Sequence, residues 1–423
     1  MQYIKKNQGS YNLHMVRTKK FKTITLKIIF HTPIVKEDIT KRNVLSDILL
    51  KSTSKYSSKR NMIIEAENLY AVDVYNNTQR LGNYIMTSFI LQVLNDRYTE
   101  EGNVEKAFEF LNEILFHPDV CNNSFREDKL SLVKNNCRVA LSELKEDTYD
   151  YCMIRLKEAY DKNSPVSYRL IGYVEDLEKI DEHNLYQYYL NMIDSDYVDI
   201  FVVGDFNPKD MLEMVKKNFH FRKVKKEKMK YELDNKTVRK RRLIAKEKEE
   251  NNQSKLGILC PLSKMKDYEK NYPMVLANII LGGGVDSKLF KTVREKYSYC
   301  YSIFSSYYKL DQMIVISAGI DKENYSKTLK EITDVLNQLK KGKFQDKDIK
   351  IAKELYNNSI NSIEESPMNL ISEYLSEEIV GFETYKEREK IMNKVSKKEI
   401  IHALKKIKID TVFLLEGDKN EEN

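Results

Sequence analysis

The sequence predicts two copies of one α/β domain joined by a charged linker. Three observations predict it: the length, the alternation of strand-like and helix-like periodicity, and a repeat that relates the two halves. At 423 residues the chain exceeds one ordinary core and suits two domains of about 200 residues each. Its composition is that of a helix-leaning globular protein, neither disordered nor collagen-like.

Leu13–Val16 and Phe21–Phe30 read as strands, the second alternating through Ile24, Leu26, Ile28 and Phe30. Asp38 to Leu50 turns helical and sets Val44, Leu45, Ile48 and Leu49 on one face. A second helix over Asn61–Leu69 leads into a strand at Tyr70–Tyr75, and another strand from about Asn83 carries Tyr84, Met86 and Phe89. Helical periodicity dominates from Val104 to Ile193. Tyr197–Gly204 reads as a buried strand, and Pro208–Phe219 as a helix with proline in its tolerated first turn. The stretch His220–Gln253 is crowded with Lys, Arg and Glu and holds few large apolar residues before Leu243. It reads as a solvated linker over residues 223–240, between a first domain at 1–222 and a second at 241–423.

The repeat is the most informative feature. Val44-Leu45-Ser46-Asp47-Ile48-Leu49-Leu50 aligns without a gap on Val275-Leu276-Ala277-Asn278-Ile279-Ile280-Leu281, and the same offset carries Tyr70 onto Tyr301. Lys179-Ile180 through Val202-Val203-Gly204-Asp205 resembles Lys394-Val395 through Leu414-Glu416-Gly417-Asp418, each a helix and then a strand ending in Gly-Asp. Asp181 is a plausible N-cap for the first of these helices, and Ser396 with Glu399 forms a capping box for the second. Two correspondences in the same order, at opposite ends of each half, argue for duplication. A duplicated α/β domain generally packs its halves against each other and leaves a cavity between them, a usual place for a ligand.

Bulk properties exclude several classes. The net charge of +7 is a small surplus on a large surface, and nucleic-acid binding would need it gathered on one face. The start of the chain has no apolar run after its basic residues, and no stretch approaches the ~20 apolar residues of a membrane span. Five cysteines, none paired as CxxC, suit a reduced cytoplasmic protein with free thiols.

Helix-borne zinc sites set two His one turn apart with a Glu beside them. The six histidines are His14, His31, His117, His183, His220 and His402, and no two lie within a helical turn, so neither HxxEH nor HExxH occurs. Each is expected to be a surface or cap residue. No GxSxG elbow is present. Gly282-Gly283-Gly284-Val285-Asp286-Ser287-Lys288 lacks the GxxxxGK[ST] spacing of a phosphate loop. Its better reading is a flexible turn between helices, where missing side chains let another backbone come close. Arg294 on the following helix and Tyr301 in the next strand could both point into a cleft. Guanidinium and phenol both donate hydrogen bonds, which suits a peptide carbonyl or the oxyanion developing from it. From spacing alone, a surface arginine and a sheet tyrosine is the simpler reading.

Ser287-Lys288-Leu289-Phe290, Arg294-Glu295-Lys296 and Tyr301 resemble the "SRLF…REK…Y" segment of the M16 metallopeptidases, the family of pitrilysin, insulin-degrading enzyme and mitochondrial processing peptidase. Ser164-Pro165, Gly172, Tyr188-Tyr189 and Val202-Val203-Gly204-Asp205 extend the likeness through the first half. The resemblance implies an α+β fold of two homologous domains, each a mainly antiparallel sheet packed with helices, facing each other across a cavity. It also implies that Arg294 and Tyr301 assist substrate binding and catalysis from the second domain.

The family's zinc motif, HxxEH, lies before a Lys-Gly-Thr-like turn, here Lys51-Ser52-Thr53. Counting back puts Asn43 and Asp47 at the zinc histidines and Ser46 at the catalytic Glu, while Asn136 falls at the distal zinc Glu. With neither imidazole nor thiolate left, these positions are expected to hold no metal. Bacterial members of this size often work as unlike pairs, one chain keeping HxxEH and the other the Arg/Tyr pair. The chain resembles the second kind, and its Lys20-Phe21-Lys22-Thr23 and Asn68-Leu69-Tyr70 segments resemble a Gram-positive subgroup associated with elongation factor P modification or peptide maturation. The expected role is therefore a non-catalytic subunit that binds peptide substrate, with zinc on an HxxEH partner. The alternative is a peptide-binding scaffold with no protease partner, its peptide added to a sheet edge such as Tyr70–Tyr75.

Overall fold

A computed structural model describes residues 1–223, 229–233, 238–251 and 253–417. The described residues form two compact units. The first is built from Met1–Ser142, Arg169–Lys230 and Glu364–Leu375. The second takes Glu143–Tyr168, Tyr231–Ile363 and the described residues from Ser376 onward. Neither unit is continuous in sequence, unlike the uninterrupted spans expected from the chain: each half contributes one helical segment to the unit built mainly by the other.

The first sheet has six strands: β1 (Gln2–Asn7), β2 (Tyr11–Arg17), β3 (Thr23–Pro33), β4 (Asp73–Leu81), β5 (Tyr84–Leu94) and β8 (Tyr197–Gly204). Their order across the sheet is β1-β2-β8-β3-β5-β4. A short hairpin of β6 (Val120–Cys121) and β7 (Ser124–Phe125) stands apart. The second sheet is made of β9 (Leu243–Glu249), β10 (Ser254–Pro261), β11 (Ser302–Tyr308), β12 (Met313–Ile320) and β13 (Thr411–Gly417). It runs β11-β12-β10-β13-β9. Walking β2-β8-β3-β5-β4 in one sheet and β9-β13-β10-β12-β11 in the other gives the same connectivity. Each walk has its one parallel pair in the same place, β2 with β8 and β9 with β13. The repeat read from the sequence is thus a repeat of topology, with β1 as an addition to the first sheet.

Strands in the middle of these sheets are buried on both faces, and two different layers bury them. On β3, Ile24, Leu26, Ile28 and Phe30 form the inner face, yet Thr25, Lys27, Ile29 and His31 are buried as well. The helix Pro367–Leu375 packs on β8, and in the second unit the helix Thr148–Asp161 packs on β10 and β13. That second-unit layer is apolar: Met153, Leu156, Leu259, Val315 and Phe413 share one cluster. The same face in the first unit is polar. Asp199 on β8 lies 3.0 Å from Nε2 of His14 on β2 and 3.2 Å from Nε2 of His31 on β3, and all three are buried. These two histidines are core residues, not the surface or cap residues expected, because the covering helix turns an apparent solvent face into an interior.

Several other expectations change. The strand expected at Tyr70–Tyr75 begins only at Asp73, because Tyr70 and Ala71 take left-handed conformations (φ 60° and 55°) that close the preceding helix. It runs on to Leu81 through Asn76, Asn77 and Gln79, a polar edge strand without the expected β-rich composition. The hairpin at 120–125 interrupts the helical region, turning on Asn122 and Asn123 at positive φ. Of the linker at 223–240, residues 224–228 and 234–237 lie outside the described residues, as does Asp418 of the repeat. Part of the described stretch is packed, with Tyr231 and Leu233 buried and Arg239 paired with the buried Asp410 at 2.5 Å, while Lys223, Lys230, Val238 and Lys240 are exposed. No helix among the described residues is long and apolar enough to cross a membrane.

Candidate functional site

The helix Ile39–Leu49 presents the first group of residues. Val44, Leu45, Ile48 and Leu49 bury its apolar face as the periodicity requires. Arg42 anchors it from the inside, fully buried, donating to Thr87 Oγ1 at 2.8 Å and ion-paired with Asp196. Asn43, Ser46 and Asp47 lie at the i, i+3, i+4 spacing that brings side chains together on one flank.

Each of the three has a bond of its own. The Asn43 amide donates to the Leu170 carbonyl. Ser46 Oγ donates back to the Asn43 carbonyl at 3.0 Å, a helix-internal bond from a buried hydroxyl. Asp47 is exposed and accepts from Asn76 Nδ2 of β4 at 2.9 Å. Zinc at this place would need imidazole or thiolate donors around an open position. One carboxylate beside an engaged amide and a hydroxyl does not fit it. Among the described residues, no group of three or more His, Cys, Asp or Glu side chains is placed to hold a metal ion.

Asn136 is exposed on the helix Glu127–Ser142, which packs against the Ile39–Leu49 helix. The neighbouring Cys137 is the residue that senses Asp47. Burial first, and the Asp47 charge second, push its thiol above the ordinary range. It therefore stays protonated at neutral pH, which makes it a poor nucleophile and a poor ligand. Nothing in the sequence pattern singled it out.

The second group lies in the second unit. The helix Pro273–Gly282 ends against β11, where a Cβ on Gly282 would stand 2.7 Å from the Ser305 nitrogen. This is the close backbone approach expected of the glycine run. A Cβ on Gly283 would meet Ile279 Cα at 2.6 Å, whereas Gly284 (φ 156°) faces open space. Asn278 and Ser305 then pin helix to strand, Oγ donating to Asn278 Oδ1 at 2.8 Å.

After the turn, Phe290–Lys296 winds as a π-helix, with Tyr297 N donating to Thr292 O at 3.2 Å. Such wide turns are uncommon and recur at functional sites. Leu289 and Val293 anchor it in the core, which leaves Arg294 on the outside. The guanidinium stacks 4.6 Å from the Phe290 ring centroid and has no anionic partner among the described residues. Ser298 takes a left-handed turn (φ 54°), and Tyr301 then enters the sheet, its N donating to Gly319 O at 2.8 Å. Its side chain is 57% exposed, and its hydroxyl donates to Asp321 Oδ1 at 2.7 Å. Between the two lies Cys300, whose buried thiol is pushed up to about 11, with Arg294 pulling the other way. The arginine's charge therefore reaches the turn that carries Tyr301.

Phe304 and Tyr308, both exposed, follow on β11 at strand spacing, and β11 is an edge strand. The alternation Ser302, Phe304, Ser306, Tyr308 could have revealed this aromatic row; Asp321 had no such signal. A guanidinium without an anionic partner among the described residues can donate to a peptide carbonyl, whereas the phenol, whose one hydrogen goes to Asp321, can accept from a peptide N–H.

A family model described as "Peptidase M16 inactive domain" matches residues 179–356. The chain is 26% identical over 419 residues to the Bacillus subtilis protein named "Probable inactive metalloprotease YmfF", covering 98% of this chain and 97% of that one. It is 25% identical over 256 residues to "Uncharacterized zinc protease YmxG" of the same organism, 60% of either chain. Among solved structures, a conserved protein from Enterococcus faecalis matches with a TM-score of 0.90 at 27% identity, over 100% of both chains. The peptidase M16 inactive domain from Pseudomonas fluorescens matches with a TM-score of 0.81 at 15% identity, again over 100% of both.

Proposed function

We propose that the chain is an M16 peptidase family member of the inactive type and, on that premise, the non-catalytic subunit of a heterodimeric M16 zinc peptidase that processes or degrades peptides. One observation carries the reading. The helix positions that match the zinc motif hold Asn43, Ser46 and Asp47, each with a hydrogen bond elsewhere, while Arg294 and Tyr301 stand exposed where a substrate can reach them.

Zinc, its water and the general base would belong to a partner chain carrying HxxEH. This chain's own part is to bind and orient. Arg294 offers up to five N–H donors in a fixed fork, and no carboxylate among the described residues neutralises it. Tyr301 adds a phenol whose oxygen is oriented by Asp321. The guanidinium acts most where a carbonyl oxygen gains charge in the transition state, while the phenol oxygen is left to accept from a peptide N–H. Bacillus subtilis holds one relative named as an inactive metalloprotease and another named as a zinc protease, as a divided enzyme requires. Buried thiols at Cys152, Cys260 and Cys300, none of them in a disulfide, fit the cytoplasm, a reducing compartment, as its place of work.

The test is reconstitution. The purified chain alone should bind no stoichiometric zinc and cleave no peptide, and it should raise the activity of an HxxEH-bearing M16 chain from the same genome. Zinc and cleavage in the isolated protein, or no gain on mixing, would refute the reading. The partly exposed Phe304 and Tyr308 on the edge strand β11 favour a second reading, a peptide-binding scaffold without a protease partner. Peptide affinity persisting where mixing gives no activity would select it.

A further inference from the structure

The second unit carries a groove of about 1200 Å³ in which neither Arg294 nor Tyr301 takes part. Its walls are the short helix Asp267–Asn271, the start of the helix Pro273–Gly282 and the helix Lys397–Leu404. Met265, Pro273 and Ile401 make it apolar inside. Six lysines line it: Lys264, Lys266, Lys397, Lys398, Lys405 and Lys406.

Only two carboxylates share the groove, and both are committed. Glu269 lies 3.2 Å from Lys406 and 3.4 Å from His402. Glu399 closes a capping box on Ser396 and accepts from the Tyr268 hydroxyl at 2.8 Å. Lys397 donates to the Phe344 carbonyl at 2.6 Å. That leaves Lys264, Lys266, Lys398 and Lys405 exposed and without an anionic partner among the described residues. Like charges crowded around one concavity repel, and an anionic ligand relieves that repulsion.

The duplication supplies an internal control. The helix Glu182–Ser195 of the first unit starts after the N-cap Asp181 just as Lys397–Leu404 starts after Ser396. Where the second helix and the two residues after it have Lys397, Lys398, Lys405 and Lys406, the first helix has Glu182, His183, Leu190 and Asn191. These four lysines are therefore not a legacy of the shared fold.

We propose that this groove docks an acidic amphipathic peptide segment of a partner protein. The segment's apolar side chains lie on Met265, Pro273 and Ile401, and its carboxylates meet the free lysines. Three features favour that occupant. The groove is larger than the 300–1,000 Å³ typical of small-molecule sites. Its lysines line a hollow, whereas adhesion to an anionic lipid surface uses basic residues that protrude. Glu269 and Glu399 would meet a phosphate backbone unfavourably, and the groove's two rings, Tyr268 and His402, already bond or face these carboxylates. Met265 adds an adaptable contact of the kind peptide-binding surfaces use.

The test uses the full chain and a fluorescein-labelled peptide of Leu and Glu patterned to form a two-faced helix, followed by anisotropy. Saturable binding is expected, weakening with salt and falling on the order of tenfold or more in Lys398→Glu/Lys405→Glu, whose exposed sites leave thermal unfolding unchanged. A peptide with Ser in place of Leu should bind at least about tenfold more weakly, because it leaves the apolar interior uncovered. No saturable binding, indifference to charge reversal, or equal binding of the Ser peptide would overturn the proposal. So would tighter, lysine-dependent binding of phosphatidylserine vesicles or a single-stranded oligonucleotide. The assay needs no peptidase partner, so its outcome is separate from that of the reconstitution.

Discussion

Tyr301 donates its hydroxyl hydrogen to Asp321 Oδ1 at 2.7 Å, which turns the oxygen's lone pairs and ring edge in a fixed direction on an otherwise exposed side chain. Arg294 has no comparable restraint among the described residues beyond the Phe290 ring, so its fork remains available to an incoming carbonyl.

In an assay reconstituted with an HxxEH chain, Arg294→Ala should lower kcat/KM on the order of 10²-fold, the scale of losing an oxyanion-directed donor. Tyr301→Phe should cost less, about tenfold, since one neutral hydrogen bond is lost. Both sites are exposed, so the melting temperature of the isolated chain should not move. Unchanged kinetics in Arg294→Ala would remove the arginine from the proposed role.

Gly282 tests the scaffold beneath that pair. A methyl group there would lie 2.6 Å from Ser305 Oγ and 2.7 Å from its backbone nitrogen. The strand cannot retreat without breaking the Asn278–Ser305 bonds. Gly282→Ala should destabilise the protein by roughly 1–3 kcal/mol in denaturant unfolding. Ser305→Ala should not rescue it, because the amide stands in the way as much as the hydroxyl does.

The chain's periodicity made the sheet centres legible where burial leaves apolar letters. Tyr197–Gly204 is a strand over its whole expected length, and Asp181 and Ser396 cap their helices as their spacing suggested. What stayed hidden was polar. β4 carries Asn76, Asn77 and Gln79 because an edge strand needs its backbone pairing more than a hydrophobic face. Thr25, Lys27 and His31 alternate with apolar residues and so read as a solvent face, until a helix from the far end of the chain covers them. At the candidate site, the Arg-to-Tyr interval was visible, but Asp321 and Cys137 are brought in by sheet pairing and helix packing that no local pattern encodes.

The buried His14–Asp199–His31 cluster is one such hidden element, and its carboxylate has a measurable signature. Asp199 is wholly buried, and that burial alone would raise its pKa. The hydrogen bonds and charges of His14 and His31 outweigh it and hold the carboxyl well below the usual range. Asn12 also donates to it, at 2.8 Å. A depressed folded pKa gives stability that is present above the unfolded value near 4 and is lost as pH falls further. Asp199→Asn should cost roughly 2–3 kcal/mol at neutral pH, the scale of hydrogen bonds to a buried charge. Its unfolding free energy should also fall less steeply than the parent's below about pH 4. Equal acid sensitivity in parent and variant would show that the cluster does not hold Asp199 ionised.

Lys27 gives the opposite sign on the same face of the sheet. It is 3% exposed with no ion-pair partner among the described residues, and burial pulls its amine down to about 8. Below pH 8 the folded state must carry a buried ammonium that the unfolded state solvates freely, so folding is opposed by the full cost of desolvation. Between about 8 and 10.5 the unfolded chain holds a proton that the folded chain has released, and stability contributed by this site rises with pH. Lys27→Met keeps the length and removes the charge. It should stabilise the protein at pH 7 by on the order of 3 kcal/mol, since each tenfold weakening of proton binding corresponds to about 1.4 kcal/mol. The gain should shrink as the pH approaches 10 in parallel chemical denaturation of parent and variant. A variant no more stable than the parent at pH 7 would mean that the ammonium is solvated or paired after all, and that the polar layer under the helix Pro367–Leu375 tolerates charge.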